Sequence, residues 1–170
     1  LRAVWTWGED SRPWAGSVIE LHRGSDAIAP GLLRAVESEV TPANPMVVVY
    51  SSGSTGDPKG AIHTHGAVVR HAHNLGPMHD LGAGDVVYTP MPLFWVGGFS
   101  FTLVGAMHVG ATVVFEERFE PGATLELLER ERVTHVLGWP HVARALAAHP
   151  TLASRNLSAL RAAGLPALLP

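Results

Sequence analysis

Short apolar, β-branched runs that alternate with helix-forming stretches set the tightest limit on what this chain can fold into. Met46-Val47-Val48-Val49-Tyr50, Val86 to Thr89, Ala111 to Phe115 and Val133 to Gly138 each have the length of a strand. The first run is continuously apolar, as expected for a strand buried on both faces. Between and after them lie helical patterns. His65 to Leu75 has Thr64 as its cap, and Trp95 to Val109 reads as an apolar helix. Thr124 to Arg132 follows Pro121, and Pro140 to Ala148 opens on its own proline. Strand–helix alternation predicts an α/β fold, with a mostly parallel sheet flanked by helices. The first 45 residues are harder to read. A short strand is expected at Ala3 to Trp7, a loop at Gly8 to Pro13, and a break at Pro42-Ala43-Asn44-Pro45.

Composition removes whole classes of function. Of 170 residues, 46% are hydrophobic and 16% charged, which excludes a disordered tail. A net charge of −3 gives no footprint for nucleic acid or an anionic membrane. The absence of cysteine excludes a disulfide scaffold and thiol chemistry, and fits a reducing, cytoplasmic setting. Val86 to Phe115 carries no Asp, Glu, Lys or Arg and is long enough to span a bilayer. Pro90, Pro92, four glycines, His108 and a β-branched end argue instead for a buried helix–strand pair whose apolar face lines a pocket. The chain begins at Leu1 without a basic, signal-like segment, so no signal peptide is expected and a piece of a longer protein is.

One segment carries chemistry. The only lysine, Lys59, lies inside Ser51-Ser52-Gly53-Ser54-Thr55-Gly56-Asp57-Pro58-Lys59-Gly60, while all eleven other basic residues are arginine. Gly53 and Gly56 let backbone approach an anion, and successive N–H groups then form an anion-binding concavity. Hydroxyls of Ser51, Ser52, Ser54 and Thr55 can donate to phosphate oxygens, and Thr55 can instead face a magnesium ion. Lys59 supplies a compact positive charge. The helix that follows is expected to add its dipole. The Walker pattern fails, because Pro58 precedes the lysine and Gly60 follows it. The nucleophile elbow fails too, because Ser52 stands where that motif needs glycine.

Tyr50 to Gly60, followed by His63-Thr64-His65, resembles the phosphate-loop signature of the AMP-forming adenylating enzymes, the superfamily of acyl-CoA synthetases, peptide-synthetase adenylation domains and luciferase. The resemblance continues through Pro90-Met91-Pro92-Leu93-Phe94-Trp95, Phe119-Glu120-Pro121, Arg130-Glu131-Arg132-Val133-Thr134 and Leu157-Ser158-Ala159-Leu160-Arg161. It implies that residues 1–170 are part of the large N-terminal domain of such an enzyme, without the C-terminal domain and its catalytic lysine. The implied chemistry is ATP-dependent activation of a carboxylic acid to an acyl-adenylate, then transfer to coenzyme A. Ser51 to Gly56 and Lys59 would hold the nucleotide's phosphates, and Thr55 would lie near Mg2+. Trp95 and Gly98 would border the acyl pocket, and Gly164 would lie near adenine and acyl group. No residue of this chain is expected to be catalytic by itself, and the isolated chain is expected to be inactive. Amino-acid-activating members place an aspartate where this chain has Trp95. An unpaired ammonium in an apolar pocket is costly, so a fatty, aryl or other uncharged-tail acid is expected. The alternative is a nucleotide- or phosphate-binding module without turnover.

Other signals read as structure. His63/His65 and His71/His73 are each two apart and so lie on different faces of a helix. His63 and His65 are expected to flank the phosphate loop, His71 and His73 to sit on a helix surface, and no metal site is expected. Trp5, Trp7, Trp14 and Trp139 read as packing residues. Glu126, Glu129, Arg130, Glu131 and Arg132 read as a solvated helix face.

Overall fold

The computed structural model describes residues 4–6, 13–25, 28–52 and 56–163. Two compact units divide the chain, residues 1–41 and 42–170. In the first, strands β1 (Trp5–Thr6) and β2 (Gly16–Ser17) pair in parallel, and helices α1 (Val18–Ser25) and α2 (Pro30–Ser38) follow. A Cβ on Gly16 would meet the Trp5 ring at 2.5 Å, so glycine there admits the indole.

The second unit begins with an antiparallel hairpin, β3 (Pro45–Ser51) and β4 (Lys59–Thr64). Helix α3 (His65–His79) starts directly after it, with the Thr64 hydroxyl accepting from the Ala67 N–H at 3.2 Å. Then come β5 (Val86–Tyr88), an eight-residue π-helix (Gly97–Val104), α4 (Gly105–Val109) and β6 (Thr112–Val114). Next are α5 (Pro121–Arg130), β7 (His135–Val136), α6 (Pro140–Ala147) and β8 (Ala162–Ala163). Strands β6-β5-β7-β8 form one sheet in that order, parallel throughout. The α/β fold and its parallel sheet are as the sequence predicts.

Side-chain alternation explains the core. Tyr88 and Val136, paired across β5 and β7, point into a cluster with Leu125 and Leu128 of α5 and Val142 and Leu146 of α6. Val87, on the opposite face of β5, is also fully buried, so both faces of the central strand are covered. A smaller cluster of Val68, Ala72 and Val104, with Met46, Val47 and Phe99 against it, seats the hairpin on α3 and the π-helix. The phenol of Tyr88 donates to the Glu116 carboxylate, which also accepts from the Thr124 hydroxyl at 2.9 Å. Burial is the main reason that phenol is held well above its ordinary pKa.

Two expectations need correction. The Met46–Tyr50 run is not buried on both faces: Tyr50 is 67% exposed, and Val48 and Ile62 beside it are also open. The reason is that, among the described residues, β3 pairs only with β4 and only the face carrying Val47 and Val49 has a layer against it. Likewise, the stretch from Trp95 is not a regular α-helix. Its first half is π-helical, with Thr102 Oγ1 donating to the Gly97 carbonyl at 3.3 Å.

Asp85 ties the sheet's strands together at their N-terminal ends. Its carboxylate is nearly fully buried and accepts from the Gly82 N–H at 2.8 Å, from Thr134 Oγ1 at 2.9 Å and from the Arg161 guanidinium. Burial pushes its pKa up, but these donors and nearby His135 outweigh burial and leave it below the ordinary value. His135 is buried with Nδ1 3.6 Å from the carboxylate. Desolvation holds His135 below its ordinary 6.5, against the opposing pull of Asp85. Desolvation and then His135 itself lower His79. Both imidazoles are therefore neutral in the fold, and the unfolded chain takes up protons first as pH falls through about 6.5. Stability is full above that pH and drains below it. Urea midpoints should be lower at pH 5.5 than at pH 7.5, and His135→Gln should narrow the gap. Equal midpoints at the two pH values would contradict the assignment.

Candidate functional site

The parallel sheet sends β5 and β7 toward one edge, and both end at aromatic turns. After β5 the chain runs through Thr89-Pro90-Met91-Pro92 to Phe94 and Trp95; after β7 it reaches Trp139. The carboxyl edge of such a sheet is where α/β folds bind ligands. Here a cavity of about 680 Å³ opens between this edge and the hairpin. On the hairpin side Val49, Tyr50, Ser51, Ser52 and Pro58 line it. On the sheet side the lining is Met91, Phe94, Trp95, Val96, Gly97 and Trp139. Hydroxyl groups thus stand at one end and an apolar, aromatic wall at the other. Phe94 and Trp95 are 75% and 50% exposed, both unusually open for such large rings.

The hairpin places Lys59 opposite Ser51, eight residues away in sequence. The two are Cα partners in the ladder, and Ser51 Oγ donates to the Lys59 carbonyl at 3.4 Å. Cross-strand partners share a face, so ammonium and hydroxyl flank the same loop mouth. Gly56 lies between them in the chain and is exposed. Gly53, Ser54, Thr55 and Gly164 lie outside the described residues, so the expected magnesium contact at Thr55 does too. Among the described residues no group of three His, Asp or Glu side chains is placed to hold a metal.

Several expectations shift once strands replace loop. Lys59 opens a strand instead of sitting in a loop. The α3 N-terminus is paired at Pro45↔Thr64, the far end of a seven-residue ladder, roughly 20 Å from the hairpin tip. A helix dipole fades within a turn, so α3 does not serve the phosphate loop. His63 and His65 stand at that same far end; His63 pairs with Val47 and lines a second cavity of about 240 Å³ with Val68 and Phe99. His71 and His73 are both exposed but on different faces of α3: His71 lines that second cavity, and His73 Nδ1 lies 3.3 Å from His108 Nε2. The Glu129 carboxylate, expected on a solvated face, instead bonds the Arg155 guanidinium at 3.2 Å and the Asn156 N–H at 2.8 Å.

Gly97 and Gly98 divide the work the sequence assigned to Gly98. Gly97 is on the cavity wall; Gly98 is buried with its Cα against the turn before it. A Cβ on Gly98 would lie 2.2 Å from the Pro92 carbonyl oxygen. Trp139 packs against the main core, as the sequence suggests, and the structure also sets it in the wall, with its ring 5.7 Å from that of Trp95. The signal was present: a tryptophan directly after a parallel strand and directly before a proline-opened helix sits at the ligand edge.

Comparison with known proteins then decides the family. The sequence model described as AMP-binding enzyme matches residues 6–167. The chain belongs to the AMP-binding enzyme family. An indoleacetate–CoA ligase of Aromatoleum aromaticum is 36% identical over 148 residues, covering 87% of this chain and 28% of that protein. A feruloyl-CoA synthase of Amycolatopsis sp. is 39% identical over 115 residues, covering 68% and 23%. The solved amide bond synthetase McbA of Marinactinospora thermotolerans shares 38% identity at a TM-score of 0.61, covering 69% of this chain and 23% of that one. The luciferase-like enzyme of the mealworm Zophobas morio, 21% identical with a TM-score of 0.70 over 92% of this chain and 35% of that one, shows the fold alone. The chain spans about a quarter of the length of the curated relatives it matches.

In this AMP-binding chain the wall rests on the Gly98 contact. Gly98→Ala must move the Pro92 backbone and should cost about 1–3 kcal/mol. Gly97→Ala meets only the flexible Met91 sulfur, at 2.9 Å, and should cost less. Thermal melts of the two variants check this; equal melting temperatures would refute the division.

Proposed function

We propose that this chain is the phosphate-loop and acyl-pocket part of an AMP-forming acyl-CoA ligase that activates an uncharged-tail carboxylic acid. The observation that carries the reading is the single cavity in which the Ser51 and Ser52 hydroxyls face an apolar aromatic wall. That is the demand of a substrate pair with polyanionic and apolar parts. The acid needs no general base, because a carboxylate is already ionised at neutral pH. Its oxygen attacks the α-phosphorus of ATP, a C–O–P bond forms, and the bond to pyrophosphate breaks. The thiol of coenzyme A then takes the acyl group and AMP leaves.

The protein's part is positioning and neutralisation. Ser51, Ser52 and the residues from Gly53 to Gly56 would donate to the β- and γ-phosphates, and Lys59 would offset their charge. Serine hydroxyls and an exposed ammonium at one hairpin mouth fit a polyphosphate. Magnesium, carried in with ATP, would meet Thr55 and neutralise phosphate charge. Trp95 and Gly164 would border the acid. Indoleacetate, ferulate and coumarate in the names of relatives support an aryl acid over a fatty one. No helix among the described residues is long and apolar enough to cross a membrane. Absence of cysteine supports a place in the reducing cytoplasm.

ATP–pyrophosphate exchange by the full-length protein tests the reading. Lys59→Ala should lower kcat/KM for ATP by about a hundredfold, with folding intact by circular dichroism. Saturable ATP binding without exchange, with any acid, would replace a ligase by a phosphate-binding module.

A further inference from the structure

The aromatic wall has an order that acid activation alone does not require. Trp95 and Trp139 meet with ring centroids 5.7 Å apart and planes at 75°. Phe94 sets its ring at 88° to Trp95, and His141 lies nearly parallel to Trp139 at 13°. Two indoles close to a right angle make a corner. A planar aromatic ring entering it can lie offset along one indole while presenting its edge to the other. Both are the geometries that ring quadrupoles favour. An alkyl chain in the same corner gains only buried area, without a preferred orientation.

The corner is also held firmly. Trp139 directly precedes α6, whose first residue, Pro140, has a fixed φ. Val142, Ala143 and Leu146 of that helix are anchored in the main core. On the other side, the backbone N–H of Trp95 donates to the Pro92 carbonyl at 3.1 Å, in the turn against which Gly98 is pressed. A wall whose parts are fixed before the ligand arrives discriminates shape better than one that adapts.

We propose that Trp139, acting as a corner with Trp95, is the residue that selects arene carboxylic acids over alkyl acids of similar size. The proposal rests on the acid-activating reading above. Trp139 touches the tail of the acid and not the nucleotide, so its effect falls on acid choice.

The test compares 3-phenylpropanoate with octanoate in ATP–pyrophosphate exchange by the full-length protein, wild type and variants. Trp139→Leu keeps an apolar side chain without a ring; Trp139→Phe keeps a ring. The aryl-to-alkyl ratio of kcat/KM should fall about tenfold in Trp139→Leu and recover most of that in Trp139→Phe, with KM for ATP unchanged. An unchanged ratio, or equal losses for both acids, would overturn the role of Trp139 while leaving the ligase standing. A wild type that activates neither these nor any other carboxylic acid would remove the ligase reading as well. Should Trp139→Leu fold poorly, Trp95→Leu reads the same corner from its other side: the ratio should fall in Trp95→Leu and stay near wild type in Trp95→Phe, and an unchanged ratio in Trp95→Leu would overturn the corner.

Discussion

A buried carboxylate sets the frame on which the rest of this structure depends. Asp85 stands at the start of β5, takes the Thr134 hydroxyl at the start of β7, and holds Arg161 just before β8. The backbone follows the same route, with Thr134 N–H bonding the Val86 carbonyl and Arg161 N–H bonding the Thr134 carbonyl. Burying a charge is expensive, and only a full set of donors offsets it. Because Asp85 has that set only when three strands start level, the register of the parallel sheet and the satisfaction of the charge are one condition. Remove a partner and an uncompensated charge is left inside.

Strands that start level finish level. That is why the turns after β5 and β7 bring Trp95 and Trp139 together, though forty-four positions separate them. The opposite side of the cavity has a different foundation. The hairpin rests on α3 and the π-helix through a small cluster, while its Val48, Tyr50 and Ile62 face is open. The polar half thus rests on this small cluster and the aromatic half on the main core, and the π-helix that follows the wall joins the two.

Much of the fold was legible because its signals are local. Pro121 and Pro140 mark helix starts through their fixed φ, and Thr64 marks one through its hydroxyl. β-branched runs mark strands by length and composition. The segment from Ser51 to Gly60 stood out for the same reason, since its glycines, hydroxyls and lysine fall within ten residues. The hairpin was not. Nothing in Lys59 to Thr64 distinguishes a strand that folds back on β3 from a loop leading to a helix, because the deciding hydrogen bonds are made with residues up to nineteen positions away. The same holds for the burial of Met46 to Tyr50, which depends on what layers are present and not on the run itself.

The sequence by itself determined the strands of the parallel sheet, the helices opened by Thr64, Pro121 and Pro140, the single lysine in a glycine-rich segment, and a long apolar stretch without a carboxylate. These follow from backbone sterics and charge count, which each residue carries wherever it lies. Tertiary structure alone decided which residues share the site. It set Lys59 across from Ser51, put Gly97 and not Gly98 on the wall, and made Trp139, packed on the core, also one side of an aromatic corner. The physical reason is that side-chain direction depends on strand register, and register here is fixed by buried groups such as Asp85 whose partners lie far along the chain.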